Sequence, residues 1–292
     1  MGKENGSSRP LEGEQLLLGV MGDPIRQSKS PVMHNAAMQE FGLAGSYVPL
    51  HVKGENLEAA VEGIRALGFR GVNVTVPHKV NVMACLDAID ADAKAVGAVN
   101  TIVNDGGFLT GYNTDGIGYI RSLKEEAVPD LSGSRVLVLG AGGAARGIVH
   151  ALLKEKPAEV IIANRTLENA HKLAQEWAGL GKITACGTDS ESLRVSAAKA
   201  DIIINTTSVG MFPDSGASPL DASLIPEGIV VSDLIYNPLK TRLLQEAEAR
   251  NCRIHGGLGM FVYQGAYAFE FWTGRQAPAE TMRQAVLAAF GV

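Results

Sequence analysis

The sequence predicts an α/β protein with two domains, each built on a mainly parallel sheet. The chain has 292 residues, of which 46% are hydrophobic, enough for two modest cores. Short apolar runs alternate with amphipathic stretches, a pattern typical of βαβ units. The 34 glycines fit this class, because tight turns between strands and helices often require a positive φ.

The first domain is predicted to cover residues 1–112 and to bind the substrate. Its predicted strands are residues 16–20, 47–52 and 71–76, and its predicted helices are residues 32–41 and 57–67. A hairpin of residues 99–103 and 108–110, turning at 104–107, closes it. Because ligands bind at the carboxyl ends of parallel strands, the polar loops 22–31 and 73–79 are candidate site segments.

The second domain is predicted to cover residues 113–255. It opens with a helix over residues 113–126, followed by a polar linker at 129–134. The strands are predicted at 136–139, 160–163, 202–205 and 229–233, with helices at 144–154 and 167–178. Two last helices, 262–272 and 279–290, belong to a segment, 256–292, that we expect to return to the first domain.

Composition excludes several functional classes. A net charge of −5 without a basic run gives no footprint for nucleic acid. The three cysteines are far apart, which predicts reduced thiols and neither a disulfide framework nor a zinc site. Residues 1–14 are polar and lack the apolar core of a signal peptide, and no apolar run is long enough to cross a bilayer. We therefore expect a cytoplasmic protein that needs no metal, membrane or nucleic acid.

The most informative segment is residues 73–79, NVTVPHK. Alternation with a period of two places Asn73 and Thr75 on one face of a strand, and a turn at Pro77 then carries Lys79 beyond its end. This predicts a polar pocket with a lysine that can stabilise negative charge on a substrate oxygen and deliver a proton. The alternative is a half-exposed edge strand with a solvated lysine. His78 is expected to be structural.

A glycine-rich turn follows the apolar strand at 136–139 and opens the next helix, which is the context of a dinucleotide-binding fingerprint. Glycine allows the tight turn and the close approach of a pyrophosphate, and the helix N-terminus offers free N–H groups. The second domain is therefore predicted to be a Rossmann-type nucleotide-binding domain. The predicted cofactor residues of this turn are Gly140, Ala141, Gly142, Gly143 and Ala144.

The next strand ends in Asn164, Arg165 and Thr166, with no carboxylate at its tip. A guanidinium suits the 2′-phosphate of NADP(H), so the sequence predicts NADP(H) rather than NAD(H). The alternative is that Arg165 is a solvated loop cation. Thr207 and Met211, after the strand at 202–205, are expected on the nicotinamide side, although a methionine can equally belong to the core.

Six blocks together resemble the shikimate dehydrogenase family, which includes shikimate/quinate dehydrogenases. They occur in the family's order and span nearly the whole chain: residues 28–31 (SKSP), 73–79 (NVTVPHK), 113–116 (NTDG), 140–145 (GAGGAA), 164–166 (NRT) and 259–264 (GMFVYQ). The resemblance implies an NADP-dependent oxidoreductase that reversibly reduces 3-dehydroshikimate to shikimate in aromatic amino acid (chorismate) biosynthesis. It also implies that Lys79 and Asp115 form the catalytic pair.

The resemblance implies substrate contacts as well. Ser28 and Ser30 would bind the carboxylate, and Tyr236 would reach the same group. The resemblance implies that Asn73, Thr75, Asn100 and Asp115 bind the ring hydroxyls and that Gln264, from the C-terminal segment, also contacts the substrate. It also implies that Gly257 and Met260 belong to the cofactor site. Each has a structural alternative: the serines can stabilise a turn, Asn100 can end a strand, and Tyr236 can be a core residue.

Three other functions compete with this interpretation. A quinate/shikimate dehydrogenase that uses NAD, or both cofactors, would share nearly the same pocket. A catalytically silent NADP-binding sensor would not need Lys79 and Asp115, and a folate dehydrogenase would need a flatter apolar slot. One departure from the family bears on the cofactor: Asn169 stands where NADP-using members often have a second basic residue, with His171 and Lys172 after it. A monomer or a homodimer is expected.

Overall fold

The structure, a computed structural model, describes residues 15–292. These residues form two compact units. The first ends at Thr114 and also includes Gln264–Val292, and the second is Asp115–Tyr263. Each unit has its own six-stranded sheet and its own buried apolar core.

The first unit is a mixed, mostly parallel sheet with helices. Its strands are β1 Leu16–Gly22, β2 Gly45–His51, β3 Gly71–Val74, β4 Ala88–Ile89, β5 Thr101–Asp105 and β6 Phe108–Tyr112, and its first helices are α1 Ser30–Glu40, α2 Leu57–Ala66 and α3 Ala91–Val96. The strand order is β2-β1-β3-β5-β6-β4. β1 pairs in parallel with β2 and β3, and β4 with β6, whereas β5 is antiparallel to both of its neighbours.

Several details of this unit differ from the prediction. β3 ends at Val74, two residues early, so Thr75 lies just beyond the strand. β3 is buried along its whole length between β1 and β5, so the alternative of a half-exposed edge strand is wrong. α1 begins at Ser30 rather than at 32, because a proline such as Pro31 is compatible with the first helical turn.

The second unit is a doubly wound parallel sheet. Its strands are β7 Arg135–Leu139, β8 Glu159–Ala163, β9 Ile183–Cys186, β10 Ile202–Asn205, β11 Val230–Asp233 and β12 Arg253–His255, and its helices are α4 Asp115–Glu126, α5 Gly143–Lys154, α6 Leu167–Glu176, α7 Ser190–Ala197 and α8 Arg242–Ala249. The order β12-β11-β10-β7-β8-β9, in which all neighbouring strands are parallel, is the Rossmann-type order. The predicted fold class is confirmed.

Two helices end the chain, α9 Gly257–Thr273 and α10 Ala279–Ala288. α9 begins five residues before the predicted start at 262, because its early glycines serve close packing. A Cβ on Gly257 would lie 2.1 Å from the Leu234 carbonyl oxygen, and one on Gly259 would lie 2.0 Å from Ser122 Oγ. None of the helices between residues 15 and 292 is long and apolar enough to cross a membrane.

Candidate active site

The backbone on both sides of Lys79 is fixed by hydrogen bonds. The Thr75 N–H donates to the Met21 carbonyl over 2.9 Å, and the His78 N–H donates to the Thr75 carbonyl over 2.9 Å, which closes the turn at the end of β3. The Lys79 carbonyl accepts from the Val99 N–H over 2.8 Å. The half-buried Lys79 side chain therefore starts from a rigid frame at the carboxyl end of β3.

His78 reinforces this frame from inside. Its ring is buried, and Nε2 lies 2.6 Å from the Val52 carbonyl oxygen. The Val82 N–H donates to the His78 carbonyl over 3.0 Å, which leads the chain into the 3-10 turn Asn81–Cys85. His78 thus anchors the turn that presents Lys79, in agreement with a structural role.

Asn73 and Asn100, predicted separately as substrate contacts, meet in one buried network. Asn73 Nδ2 donates to the Asn100 carbonyl over 3.2 Å and to Thr101 Oγ1 over 3.0 Å. Thr101 Oγ1 donates to Asn100 Oδ1 over 2.9 Å, and the Thr114 N–H donates to the same oxygen over 2.9 Å. Asn100 Nδ2 donates to Thr114 Oγ1 over 3.0 Å. Asn100 precedes β5 instead of ending a strand. The sequence suggested no role for Thr101, and it suggested none for Thr114, although Thr114 lies in the block 113–116.

Tyr47 extends the network toward the predicted carboxylate-binding loop. Its hydroxyl donates to Asn73 Oδ1 over 2.7 Å. Burial raises the pKa of Tyr47 well above its usual value, and a side-chain hydrogen bond with Ser30 acts in the opposite, weaker direction. Sequence spacing gave no signal for Tyr47, because residues 30, 47 and 73 become neighbours only in the folded sheet.

The two serines differ in their surroundings. Ser30 is buried at the start of α1, whereas Ser28 is half-buried in the preceding loop. Ser28 Oγ accepts from the Ser30 N–H over 3.3 Å, so the turn-stabilising alternative describes at least part of what Ser28 does. Thr75 is half-buried, and its Cγ2 methyl would lie 2.5 Å from a Cβ placed on Gly22, so this glycine makes room for it.

In the second unit, the glycine turn has the shape of a phosphate cradle. Gly140 has a φ of +110°, and a Cβ there would lie 2.7 Å from Thr206 Oγ1, so only glycine fits without strain. Gly142 and Gly143 are exposed at the start of α5, and a Cβ on either would meet no heavy atom within 4 Å. Open backbone at a helix N-terminus suits a pyrophosphate. Ala141 is half-buried and Ala144 exposed beside it.

The tip of β8 braces this turn. Asn164 Oδ1 accepts from the Ala141 N–H over 3.2 Å, and Asn164 Nδ2 donates to the Thr166 carbonyl over 2.8 Å. Thr166 is the residue before α6. Arg165 is exposed between them, and within residues 15–292 its side chain has no hydrogen-bond or ion-pair partner. The Arg165 guanidinium therefore has no structural contact within this range that would compete with a ligand.

The end of β10 carries a second bonded cluster. Thr207 Oγ1 donates to Asn205 Oδ1 over 2.7 Å, and Asn205 Nδ2 donates to Asp233 Oδ1 over 3.1 Å. Thr241 Oγ1 donates to Asp233 Oδ2 over 2.7 Å. Burial raises the pKa of Asp233 above its usual value, against the effect of these bonds. The Thr207 hydroxyl therefore shapes the loop after β10, and Asn205 and Asp233 are supporting residues that the sequence did not suggest.

Asp115 is the first residue of α4 and is half-buried. A carboxylate in the first turn of a helix is favoured by the free N–H groups and the helix dipole. The next residue explains its placement: a Cβ on Gly116 would lie 2.6 Å from the Gly147 carbonyl oxygen of α5. Close packing of α4 on α5 therefore ties Asp115 to the helix that begins at the glycine turn.

Comparison with known proteins identifies the family of this chain. Models described as the shikimate dehydrogenase substrate binding domain, shikimate / quinate 5-dehydrogenase and the shikimate 5′-dehydrogenase C-terminal domain match residues 20–102, 122–212 and 257–287. The shikimate dehydrogenase (NADP(+)) of Geobacillus kaustophilus is 46% identical over 278 residues, which are 93% of this chain and 97% of the relative. The chain belongs to the shikimate dehydrogenase family.

Solved structures of the shikimate dehydrogenase family have the same fold. The shikimate 5-dehydrogenase of Listeria monocytogenes, in complex with shikimate and NAD, superposes with a TM-score of 0.89 at 40% identity and covers 94% of this chain and 97% of its own. The enzyme of Thermus thermophilus, in complex with NADP(H) and shikimate, has a TM-score of 0.86 at 39% identity and covers 94% and 100%.

The remaining residues predicted from the shikimate dehydrogenase resemblance lie in varied surroundings. Met211 is 47% exposed, whereas Met260 packs against the core of the second unit, as a core methionine would. Tyr236 is half-buried and stacks on Phe261 with ring centroids 4.6 Å apart, and burial raises its pKa. Gln264 is half-buried on α9. No group of His, Cys, Asp or Glu side chains in the described part of the chain could hold a metal ion.

Proposed function

We propose that this chain is an NADP-dependent shikimate dehydrogenase that reversibly reduces 3-dehydroshikimate to shikimate. The observation that carries the proposal is the buried amide and hydroxyl network of Asn73 and Asn100 beside the rigidly framed Lys79. Such groups suit a polyhydroxylated acid and a carbonyl that must be protonated. The relatives named as shikimate dehydrogenases support the same reaction.

Lys79 is proposed as the general acid and base. NADPH, when bound, supplies the hydride for the carbonyl carbon. The Lys79 ammonium stabilises the negative charge that develops on the carbonyl oxygen and gives that oxygen a proton, and in the reverse reaction the neutral amine removes the hydroxyl proton. Asp115 is proposed to orient the ammonium and to accept a hydrogen bond from a ring hydroxyl.

The substrate contacts are proposed residue by residue. Ser28 and Ser30 would bind the carboxylate, with Tyr236 as a weaker contributor. The residues proposed for ring hydroxyls are Asn73, Thr75, Asn100 and Gln264. The hydrogen bonds among Asn73, Asn100 and their threonine neighbours support this assignment, because they fix which atoms remain available to a ligand.

The cofactor is proposed to bind at the glycine turn of the second unit. The exposed N–H groups of Gly142 and Gly143 would receive the pyrophosphate, and Arg165 would face the 2′-phosphate. The other residues proposed for this site are Gly140, Ala141, Ala144, Asn164, Thr166, Thr207, Met211, Gly257 and Met260. The contacts of Asn164 and Thr207 support roles in shaping the turn.

A second candidate is a shikimate/quinate dehydrogenase that also uses NAD. Asn169 replaces a second cation near Arg165, and the Listeria monocytogenes structure contains NAD with shikimate. His171 and Lys172 follow on α6, where Lys172 pairs weakly with Glu168 over 3.7 Å at an exposed site. Discrimination between the cofactors would then depend on Arg165 alone.

The test is steady-state kinetics of the purified chain with shikimate or quinate and with NADP⁺ or NAD⁺. Formation of reduced nicotinamide is followed by its absorbance. We expect the highest kcat/KM with shikimate and NADP⁺. A higher kcat/KM with quinate and NAD⁺ would favour the second candidate, and NADP binding without turnover of either acid would favour a silent sensor.

The enzyme is proposed to act in aromatic amino acid (chorismate) biosynthesis in the cytoplasm, as a monomer or homodimer. The three cysteines are free thiols, which fits a reducing compartment. Size-exclusion chromatography with light scattering would give the number of chains in the particle.

A further inference from the structure

Tyr47 reaches across the first sheet to contact a strand that is not its neighbour. It lies on the edge strand β2, paired with Leu18, while Asn73 on β3 is paired with Val20 of the same central strand β1. The four side chains therefore share one face. Tyr47 is only 1% exposed, and its hydroxyl ends 2.7 Å from Asn73 Oδ1.

The chemistry of the partners determines which end of the Asn73 amide faces Tyr47. The Asn100 carbonyl oxygen has no hydrogen, so the Asn73 group 3.2 Å from it must be the NH₂. Asn73 Oδ1 then faces Tyr47, and the tyrosine hydroxyl must donate. No other assignment satisfies both contacts.

The same reasoning fixes Thr101. Asn100 Oδ1 accepts from the Thr114 N–H, so Thr101 Oγ1 must donate to that oxygen and accept from Asn73 Nδ2. Both amide hydrogens of Asn73 are thus committed within the protein. The capacity that remains is one lone pair of Asn73 Oδ1, an acceptor for a hydroxyl group.

We propose that Tyr47 is a positioning residue for substrate binding, whose hydroxyl holds Asn73 as a hydrogen-bond acceptor for one substrate hydroxyl. The proposal rests on the proposed function, because that function supplies the ligand of Asn73. Tyr47 itself is buried and does not need to touch the substrate. Ordinary core packing by a tyrosine would predict loss of stability without a specific loss of shikimate binding.

The test is a double-mutant cycle of Tyr47→Phe and Asn73→Ala. We expect Tyr47→Phe to raise the KM for shikimate about tenfold, because a buried hydrogen bond between neutral groups that positions a ligand group is worth about that factor. The kcat and the KM for NADP⁺ should each change by less than about twofold. If Tyr47 acts through Asn73, the same change in the Asn73→Ala background should cost less than about twofold.

The matched control is Tyr119→Phe. Tyr119 is likewise fully buried, and its hydroxyl donates to Ser232 Oγ over 2.9 Å in the second unit. Its loss should lower the melting temperature to a similar extent while the KM for shikimate stays unchanged. A wild-type KM in a folded Tyr47→Phe variant, or losses that multiply in the double variant, would overturn the proposal.

A second pair of variants applies if Tyr47→Phe does not fold. Thr101→Val removes the acceptor for Asn73 Nδ2 and should raise the KM for shikimate, whereas Thr101→Ser keeps the hydroxyl and should restore it. Equal KM values for Thr101→Val and wild type would also overturn the proposal. Failure of the proposed function has a different signature: a folded wild-type chain that binds NADP but turns over no shikimate.

Discussion

His34 provides the most quantitative prediction from the structure. The side chain is fully buried on α1, stacked on Tyr47 with ring centroids 4.3 Å apart and with Trp272 at 5.4 Å. Neither ring nitrogen has a hydrogen-bond partner within the described residues. Burial lowers the pKa of His34 from 6.5 to about 3, so the folded protein keeps the ring neutral.

The direction of the pH effect follows from this difference. Below pH 6.5 the unfolded chain takes up a proton on His34 that the folded chain excludes, so the free energy of unfolding falls as the pH falls. The loss begins near the unfolded pKa, approaches about 1.4 kcal/mol per pH unit, and stops near the folded pKa. It amounts to about 2 kcal/mol between pH 7 and 5, and to roughly 5 kcal/mol in total.

The perturbation is His34→Phe, which keeps an aromatic ring against Tyr47 and removes the titration. Urea unfolding is followed by fluorescence in a Trp177→Phe background, so that Trp272, the other of the two tryptophans, reports on the first unit. We expect the variant to lose about 2 kcal/mol less stability than its parent between pH 7 and 5. His171→Gln, at an exposed position of α6, should leave the slope unchanged. Equal pH slopes for His34→Phe and its parent would refute the reasoning.

Two further predictions concern the second unit. Arg165→Ala should raise the KM for NADP⁺ about tenfold or more and leave the KM for NAD⁺ nearly unchanged, because only the 2′-phosphate loses a charged partner. The control is Lys199→Ala, which removes another exposed cation of this unit. Equal effects of Arg165→Ala on the KM values for both cofactors would contradict the assignment. Gly140→Ala should destabilise the unit by about 1–3 kcal/mol and weaken NADP binding, because φ is +110° and the new methyl would lie 2.7 Å from Thr206 Oγ1. Calorimetry compares this variant with Gly179→Ala, where a Cβ meets no atom within 4 Å. Equal melting temperatures of the two variants would contradict the prediction.

Local features of the sequence were good predictors of structure. The apolar strand before Gly140 and the helix after it were predicted to within one residue, because the pattern and the turn chemistry lie in adjacent residues. The hairpin was predicted for the same reason, but its first strand is 101–105 rather than 99–103 and its second is 108–112 rather than 108–110. Its tight turn uses Gly106 and Gly107 at φ values of +61° and +96°.

The errors arose where distant residues decide the structure. β9 and β12 are short strands of the second sheet that gave no distinct signal of their own, and α9 starts at Gly257 because a glycine there permits contact with the Leu234 carbonyl. Alternation in residues 73–76 suggested a longer strand, but the chain leaves the sheet after Val74. A period of two describes which face a side chain takes, and it does not report where pairing stops.

The same distinction applies to the candidate site. Asn73 was identified from the motif at 73–79 and Asn100 from the family resemblance, but the orientation of both side chains depends on Tyr47, Thr101 and Thr114. Tyr47 and Thr101 lie outside the six sequence blocks, and Thr114 lies in the block 113–116 without an assigned role. Only the pairing of β1 with β2 and β3 brings Tyr47 to Asn73. Most residues proposed to touch a ligand lie in local sequence motifs, whereas the residues that hold them in place are set by the fold.

The central claim is that Lys79 transfers the proton in shikimate oxidation, and Lys79→Ala tests it most directly. We expect kcat with shikimate and NADP⁺ to fall by about 10²–10⁴-fold, the typical contribution of a general acid or base, while the dissociation constant for NADPH stays within about twofold. Lys94→Ala, at an exposed lysine of α3 in the same unit, should keep wild-type turnover. A Lys79→Ala variant that turns over shikimate at the wild-type rate would contradict the account.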